Sequence, residues 1–162
     1  MWDKFGEFDS WEEINKAAEG QKVEGDDEAL KELAKENGID IEDVEDYYHG
    51  AIMDLCTPMT AAFGKLDVEE KNLKPKNIMV DWVNYIRTLC STDENICLAV
   101  RKKGKNLKGC IGALLKWSFD HQQQIDKDII KAAGISAGKV TLGIPGMREA
   151  HKLIKEYYLG GN

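Results

Sequence analysis

The chain has 162 residues, 43% of them apolar, and a net charge of −7, enough for one domain with a real core or a small helical lobe joined to a larger one. Its longest apolar run is far short of a membrane span, and its opening, MWDKFGEFDSWEE, is acidic rather than basic and then apolar. Neither a transmembrane segment nor a secretory signal is expected, and a cytoplasmic protein is.

The charge is unevenly placed. Residues 1–50 carry 17 acidic and 5 basic side chains, a balance of −12, whereas residues 51–162 carry 12 acidic and 17 basic, a balance of +5. The asymmetry predicts an acidic N-terminal helical lobe over 1–50 and a helical core domain with a basic segment over 51–162. Solvated helix faces that only maintain solubility are the plainer reading of the same charges.

In chain order, Ser10 followed by Glu13 has the capping-box spacing, so a helix is expected from Ser10, ending at Gly20. A second begins near Asp26, puts Leu30, Leu33 and Ala34 on one stripe and closes at Gly38. A third starts at Asp40 with Ile41, Val44, Tyr47 and Tyr48 at core spacing, and the apolar pattern of AIMDLC carries it toward Pro58. Proline at a helix start then opens PMTAAFGKLDVEEKNL, and Lys74-Pro75-Lys76 breaks the chain.

KNIMVDWVNYIRTLC predicts a helix with Ile78, Met79, Trp82, Tyr85, Ile86 and Leu89 inward. DENICLAVRKKG follows, with Thr92 as its cap. NLKGCIGALLKWSFDHQQQI is the most apolar segment and the expected central helix, and DKDIIKAAG forms a short one. KVTLGIPG is the one stretch with strand or tight-turn character. A last helix, MREAHKLIKEYYL, ends before a trailing Gly-Gly-Asn. The fold class is therefore mainly α: a compact helical bundle with an acidic N-terminal helical lobe and one short β-hairpin.

Few motifs carry chemistry. GISAGKVT (134–141) approaches a phosphate-binding loop, but its spacing is one residue short and Val140 stands where a magnesium-binding hydroxyl belongs, so it reads as a turn. The histidines, His49, His121 and His151, are isolated from one another and from any nucleophile. Cys56, Cys90, Cys97 and Cys110 form no CxxC pair and lie among apolar neighbours, so buried reduced thiols are expected rather than zinc or a disulfide. No enzyme, metal or cofactor is expected, and no small-molecule substrate.

Two charged stretches remain. Residues 29–50, ALKELAKENGIDIEDVEDYYHG, have the rhythm of a helix-turn-helix. Its second helix, however, carries Asp40, Glu42, Asp43, Glu45 and Asp46, which would repel DNA. Arg101, Lys102, Lys103, Lys105 and Lys108 concentrate five cations in eight positions. Helix-dipole compensation explains Arg101 and Lys102; the others could contact phosphates or an acidic protein.

From Asp81 onward the chain resembles PcfK-like proteins, accessory proteins of mobile elements in gut Firmicutes. The residues that carry this are the aromatic helix VNYIRTLC, the turn in RKKGKNLKGCIGALLKW, the stretch KVTLGIPG and the final KLIKEYYLG. Some relatives of that group inhibit Cas9. The resemblance implies an anti-CRISPR protein, a stoichiometric inhibitor that binds Cas9 or its guide-RNA complex and blocks DNA binding or cleavage. The acidic face would then pair with arginines that otherwise hold DNA. The alternative is a conjugation or replication accessory protein that binds nucleic acid through Arg101–Lys108.

Overall fold

In the computed structural model, which describes residues 1–160, the chain folds as a mostly helical body with one short antiparallel pair of strands. The first helix, α1 (Trp11–Glu24), begins where Ser10 Oγ accepts from the Glu13 amide at 3.2 Å. The Glu13 carboxylate returns to the Asp9 amide rather than to that of Ser10, so the box closes one residue early. The helix runs through Gly20, whose cost of about 1 kcal/mol relative to alanine does not stop it. It ends at Gly25, in the left-handed region at φ 70°.

Asp26 caps α2 (Asp27–Glu36) by accepting from the Ala29 amide. The chain then turns at Gly38, φ 66°, into α3 (Ile41–Tyr48). Gly38 lies so close to α4 (Pro58–Leu73) that an added Cβ would stand 2.4 Å from the carbonyl oxygen of Gly64. Gly64 itself would carry a Cβ 2.0 Å from the carbonyl oxygen of Asn37. Two glycines thus let the α2–α3 turn rest backbone to backbone on α4. The third helix does not continue toward Pro58: Gly50, φ 78°, stops it, and residues 51–55 form bends.

The next helix, α4, opens on a reciprocal Thr57–Thr60 capping box. After it come α5 (Ile78–Thr92), α6 (Glu94–Arg101) and α7 (Leu107–Asp120). Asp93 rather than Thr92 caps α6, because the Thr92 hydroxyl bonds back to carbonyls of its own helix. Two strands, β1 (Gln123–Gln124) and β2 (Thr141–Leu142), flank α8 (Lys127–Ala132) and pair Gln123 with Leu142 and Gln124 with Thr141. The chain closes with α9 (Met147–Leu159). Beyond Gly160, the rest of the trailing Gly-Gly-Asn lies outside the described residues.

Two apolar clusters fill the interior. One joins α1, α2 and α3 to Leu55, Cys56 and Ala61. The other joins α4, α5, α6, α7 and α9, starting from Ala62 and Leu66 and running through Trp82, Ile86, Leu107 and Ile154. Ala61 belongs to the first cluster and Ala62 to the second, so the two clusters meet along α4. The centre is the α4–α6 pair, not α7. One face of α7 is buried through Leu107, Cys110 and Leu114, while Leu115 and Phe119 are exposed. Ile41 (52% exposed), Tyr48 and Met79 also face outward. Ile41 sits at the first position of α3, while Val44 and Tyr47 fix that helix to the core.

Candidate functional site

On α3, Val44 and Tyr47 turn inward, and the acidic residues fall on the remaining sides. Asp40, Glu42, Glu45 and Asp46 are exposed and Asp43 is half-buried. None of the five is in an ion pair among the described residues. Asp40 occupies the cap position of α3 without making a side-chain capping bond. On neighbouring α2, Glu28 pairs with Lys31 at 3.1 Å and Glu32 with Lys35 at 3.6 Å, while Asp27 is exposed and outside every ion pair among the described residues. The Lys31 ammonium is held above its ordinary pKa by the hydrogen bond it donates to Glu28, with Glu45 adding a smaller attraction. On α3, spacings of three and four place Glu42 beside Glu45 and Asp46, a like-charge arrangement costing a few tenths of a kcal/mol per pair.

The basic segment has a different fate. Arg101 is not a surface cation: it is 1% exposed at the end of α6. Its guanidinium donates to Asn37 Oδ1 at 2.5 Å and to the Ala61 carbonyl at 3.5 Å. Trp2 lies against the same group, 5.3 Å from ring centre to guanidinium. Burial pulls its pKa down from the ordinary arginine value. Lys105 is half-buried and donates to the Tyr157 carbonyl at 2.9 Å. Lys102, Lys103 and Lys108 are exposed. The five cations therefore form no continuous strip.

The segment bends around a side chain that its own sequence does not contain. Lys65, fully buried on α4, sends its ammonium to the carbonyls of Lys102 (2.8 Å), Lys105 (2.7 Å) and Arg101 (3.4 Å). Glu7 completes the set with a 2.7 Å ion pair. Burial lowers the Lys65 pKa, and the Glu7 hydrogen bond works against that shift. One turn further along α4, buried Glu69 accepts from the Leu107 amide at 2.9 Å, at the start of α7. Burial raises its carboxyl above the usual carboxylate range, while the helix N-terminus favours its charge.

The first nine residues are strapped over this hub. Glu36 receives the backbone amides of Lys4 (2.5 Å) and Phe5 (3.0 Å), and Asp9 receives the amide of Lys103 at 2.8 Å. Sequence reading missed Lys65 and Glu69, although a signal was present. Ala61, Ala62, Lys65, Leu66 and Glu69 fall at one helical spacing, so two charges share the stripe that α4 buries.

The remaining candidates sit in packing contacts or in irregular chain. His151 stacks on Tyr85 with ring centres 3.5 Å apart, and His121 stacks on Trp117 at 4.1 Å. His49 meets Tyr48 edge-on. All four cysteines are buried and free, and Cys97 Sγ donates to the Cys90 carbonyl at 3.0 Å. Burial pushes the thiols of Cys56 and Cys110 up to about 12. Residues 134–140 are irregular and mostly exposed, a turn leading into β2. Among the described residues, no group of three His, Cys, Asp or Glu side chains is arranged to hold a metal ion, and no helix is long and apolar enough to cross a membrane.

No family model, no curated protein and no solved structure matches the chain. The resemblance to PcfK-like proteins rests on the residue patterns quoted above.

Proposed function

We propose that the protein acts by binding a cationic protein surface through the acidic face of α3, and that Cas9 or its guide-RNA complex is the partner. The observation that carries the first half is that five acidic residues, Asp40, Glu42, Asp43, Glu45 and Asp46, crowd one short helix and its cap with no ion pair among the described residues. Charged hydrogen bonds from arginine forks would complete these carboxylates. The choice of Cas9 comes from the resemblance: an effector that holds DNA in positive channels offers arginines at that density. On this reading the protein is a stoichiometric inhibitor, not a catalyst.

The alternative, nucleic-acid binding through Arg101–Lys108, draws less support. Arg101 is buried and Lys105 is tied to Tyr157, which leaves three exposed cations, and none of them lies beside an aromatic platform in sequence.

Target cleavage by Cas9 orthologues, with purified protein in molar excess, tests the proposal. Inhibition should be lost in the triple variant Glu42→Lys, Glu45→Lys, Asp46→Lys at unchanged or higher melting temperature, since like-charge repulsion is relieved. Inhibition should persist in Lys102→Glu, Lys103→Glu, Lys108→Glu. Undiminished cleavage across the orthologues refutes Cas9 as the partner. Full inhibition by the folded α3 variant refutes the acidic face.

A further inference from the structure

The hub opens to the surface on one side. There the first residues of the chain, the end of α4 and the start of α7 surround a cleft of about 440 Å³, a size at which small molecules are held, about 300–1,000 Å³. Leu73 and Leu107 give it apolar walls and Trp2 an aromatic one, while Glu7 and Glu69 bring it two carboxylates and Lys108 a cation. Glu69 is 7% exposed, so its charge stands at the floor; Lys108 is exposed and stands at the rim.

Donors and acceptors do not balance in this cleft. The cations that act on Glu69 from within the fold are Lys65 and Arg101, and both are committed. Lys65 serves three carbonyls and Glu7 Oε1, and Arg101 serves Asn37 and Ala61. At the start of α7 the amide of Asn106 meets the Tyr157 hydroxyl, that of Leu107 meets Glu69 Oε2, and that of Gly109 meets Asn106 Oδ1. Each carboxylate has used one oxygen only. Among the described residues, Glu7 Oε2 and Glu69 Oε1 accept no hydrogen bond, and Lys108 forms an ion pair with neither. The fully buried side-chain polar atoms without a partner are Arg87 Nη1, Arg101 Nε and Tyr158 Oη. The two free oxygens are not among them, so they open on the cleft that their residues line. An acceptor withdrawn this far from water and left without a donor costs free energy.

We infer that the cleft binds a small organic amine, whose ammonium donates to the free oxygen of Glu69 beside Glu7 and whose apolar body lies against Trp2, Leu73 and Leu107. An ammonium carries three donors and no acceptor, which is what the cleft lacks. Its hydrogen bonds to carboxylates are about twice as strong as those of a neutral hydroxyl or amide, and an indole face attracts cations as well as apolar groups. An anion would meet two carboxylates with Lys108 alone to offset them. No residue of α3 lines the cleft, so the inference is independent of the partner-binding proposal.

Phenethylamine is the probe, titrated into isotope-labelled protein whose purification tag is at the C-terminus. Saturable, single-site shifts should centre on the Leu107 amide and the Trp2 indole, with a dissociation constant of about 1 mM or tighter. Phenethyl alcohol and phenylacetate, which keep the ring and lack the ammonium, should bind about 10-fold more weakly or worse. Glu69→Gln keeps an acceptor for the Leu107 amide and should lose about 10-fold or more in affinity for the amine, with its fold checked by circular dichroism. Lys108→Gln, at the exposed rim, leaves the floor intact and should tighten the amine. Glu45→Gln on α3 should change nothing, which separates the cleft from general attraction to the acidic lobe. No saturable binding up to about 10 mM overturns the inference. So does phenylacetate binding as tightly as the amine, a folded Glu69→Gln protein with full affinity, a weaker amine complex in Lys108→Gln, or a complex weakened by Glu45→Gln.

Discussion

Replacing Lys65 by methionine tests the hub. The substitution keeps length and apolar volume and removes only the ammonium, so packing on α4 is preserved. Three backbone carbonyls and the Glu7 carboxylate lose their donor together. Breaking a buried ion pair by removing one partner costs about 3–5 kcal/mol. The low end applies here, because Glu7 keeps 27% of its side-chain surface in water and burial already disfavours the lysine charge. A loss of about 3 kcal/mol corresponds, in a chain of this size, to a fall in melting temperature of about 6–12 °C. Thermal unfolding followed by circular dichroism, paired with urea titration, measures it. Glu7→Gln, which retains an acceptor, should cost about 1 kcal/mol or less. Amide hydrogen exchange should accelerate at Lys103 and Asn106 in the Lys65 variant before it does in the helices. A Lys65→Met protein within 1 kcal/mol of wild type would show that the loop holds its shape without the ammonium, and the hub would have to be abandoned.

Gly64→Ala should destabilise by at least about 2 kcal/mol, since its methyl would meet the Asn37 carbonyl oxygen at 2.0 Å and rigid backbone must part to admit it; Gly20→Ala, in open space within α1, should instead be neutral or stabilising. A Gly64→Ala protein as stable as wild type would rule out the close contact. Glu69 gives a pH test. Its carboxyl is raised by burial from the ordinary 4.5, so the folded state holds a proton that the unfolded chain has released once pH passes that value. Its contribution is therefore fully present below about pH 4.5 and is lost as pH rises through the folded value. Glu69→Gln keeps an acceptor for the Leu107 amide and cannot titrate, so its melting temperature relative to wild type should climb between pH 4 and pH 7. A difference that stays flat or falls contradicts the raised pKa.

Helix existence was legible because its signals are local. Ser10 and Asp26 are side chains that satisfy amides three residues on, Pro58 opens α4, and α9 falls on the residues that its periodicity predicts. Errors arose where termination depends on more than one residue. Gly20 resembles a stop, but nothing forces φ positive there, whereas Gly25 does turn left-handed. AIMDLC keeps an apolar rhythm because Leu55 and Cys56 are buried from a bend rather than from a helix. The most apolar segment, α7, was expected at the centre because composition counts residues without their facing; its Leu115 and Phe119 point outward. For the basic segment, local density was the whole signal. Its backbone's partner, Lys65, lies 36 residues or more away in sequence, beyond any window that reads spacing.

The charge asymmetry takes on a different meaning once these contacts are in place. Part of the acidic excess is internal. Glu7 neutralises Lys65, while Asp9 and Glu36 accept backbone amides that tie the first nine residues to the loop and to α2. Another part is matched along α2 by Lys31 and Lys35. What remains without a match is densest on α3, where four of eight residues are acidic and no basic residue stands in the last turn. Val44 and Tyr47 alone anchor that helix in the apolar cluster, and its outer positions would serve the fold equally well as alanine, glutamine or lysine. Early-turn carboxylates gain from the helix dipole, which accounts for Glu42 and Asp43. Glu45 and Asp46 lie beyond the first turn, toward the end where negative charge is disfavoured, and they repel Glu42 across one turn. Within the fold Glu45 gains only a minor attraction to Lys31 of α2; on the proposed reading a cationic partner supplies the remaining reason for these two residues.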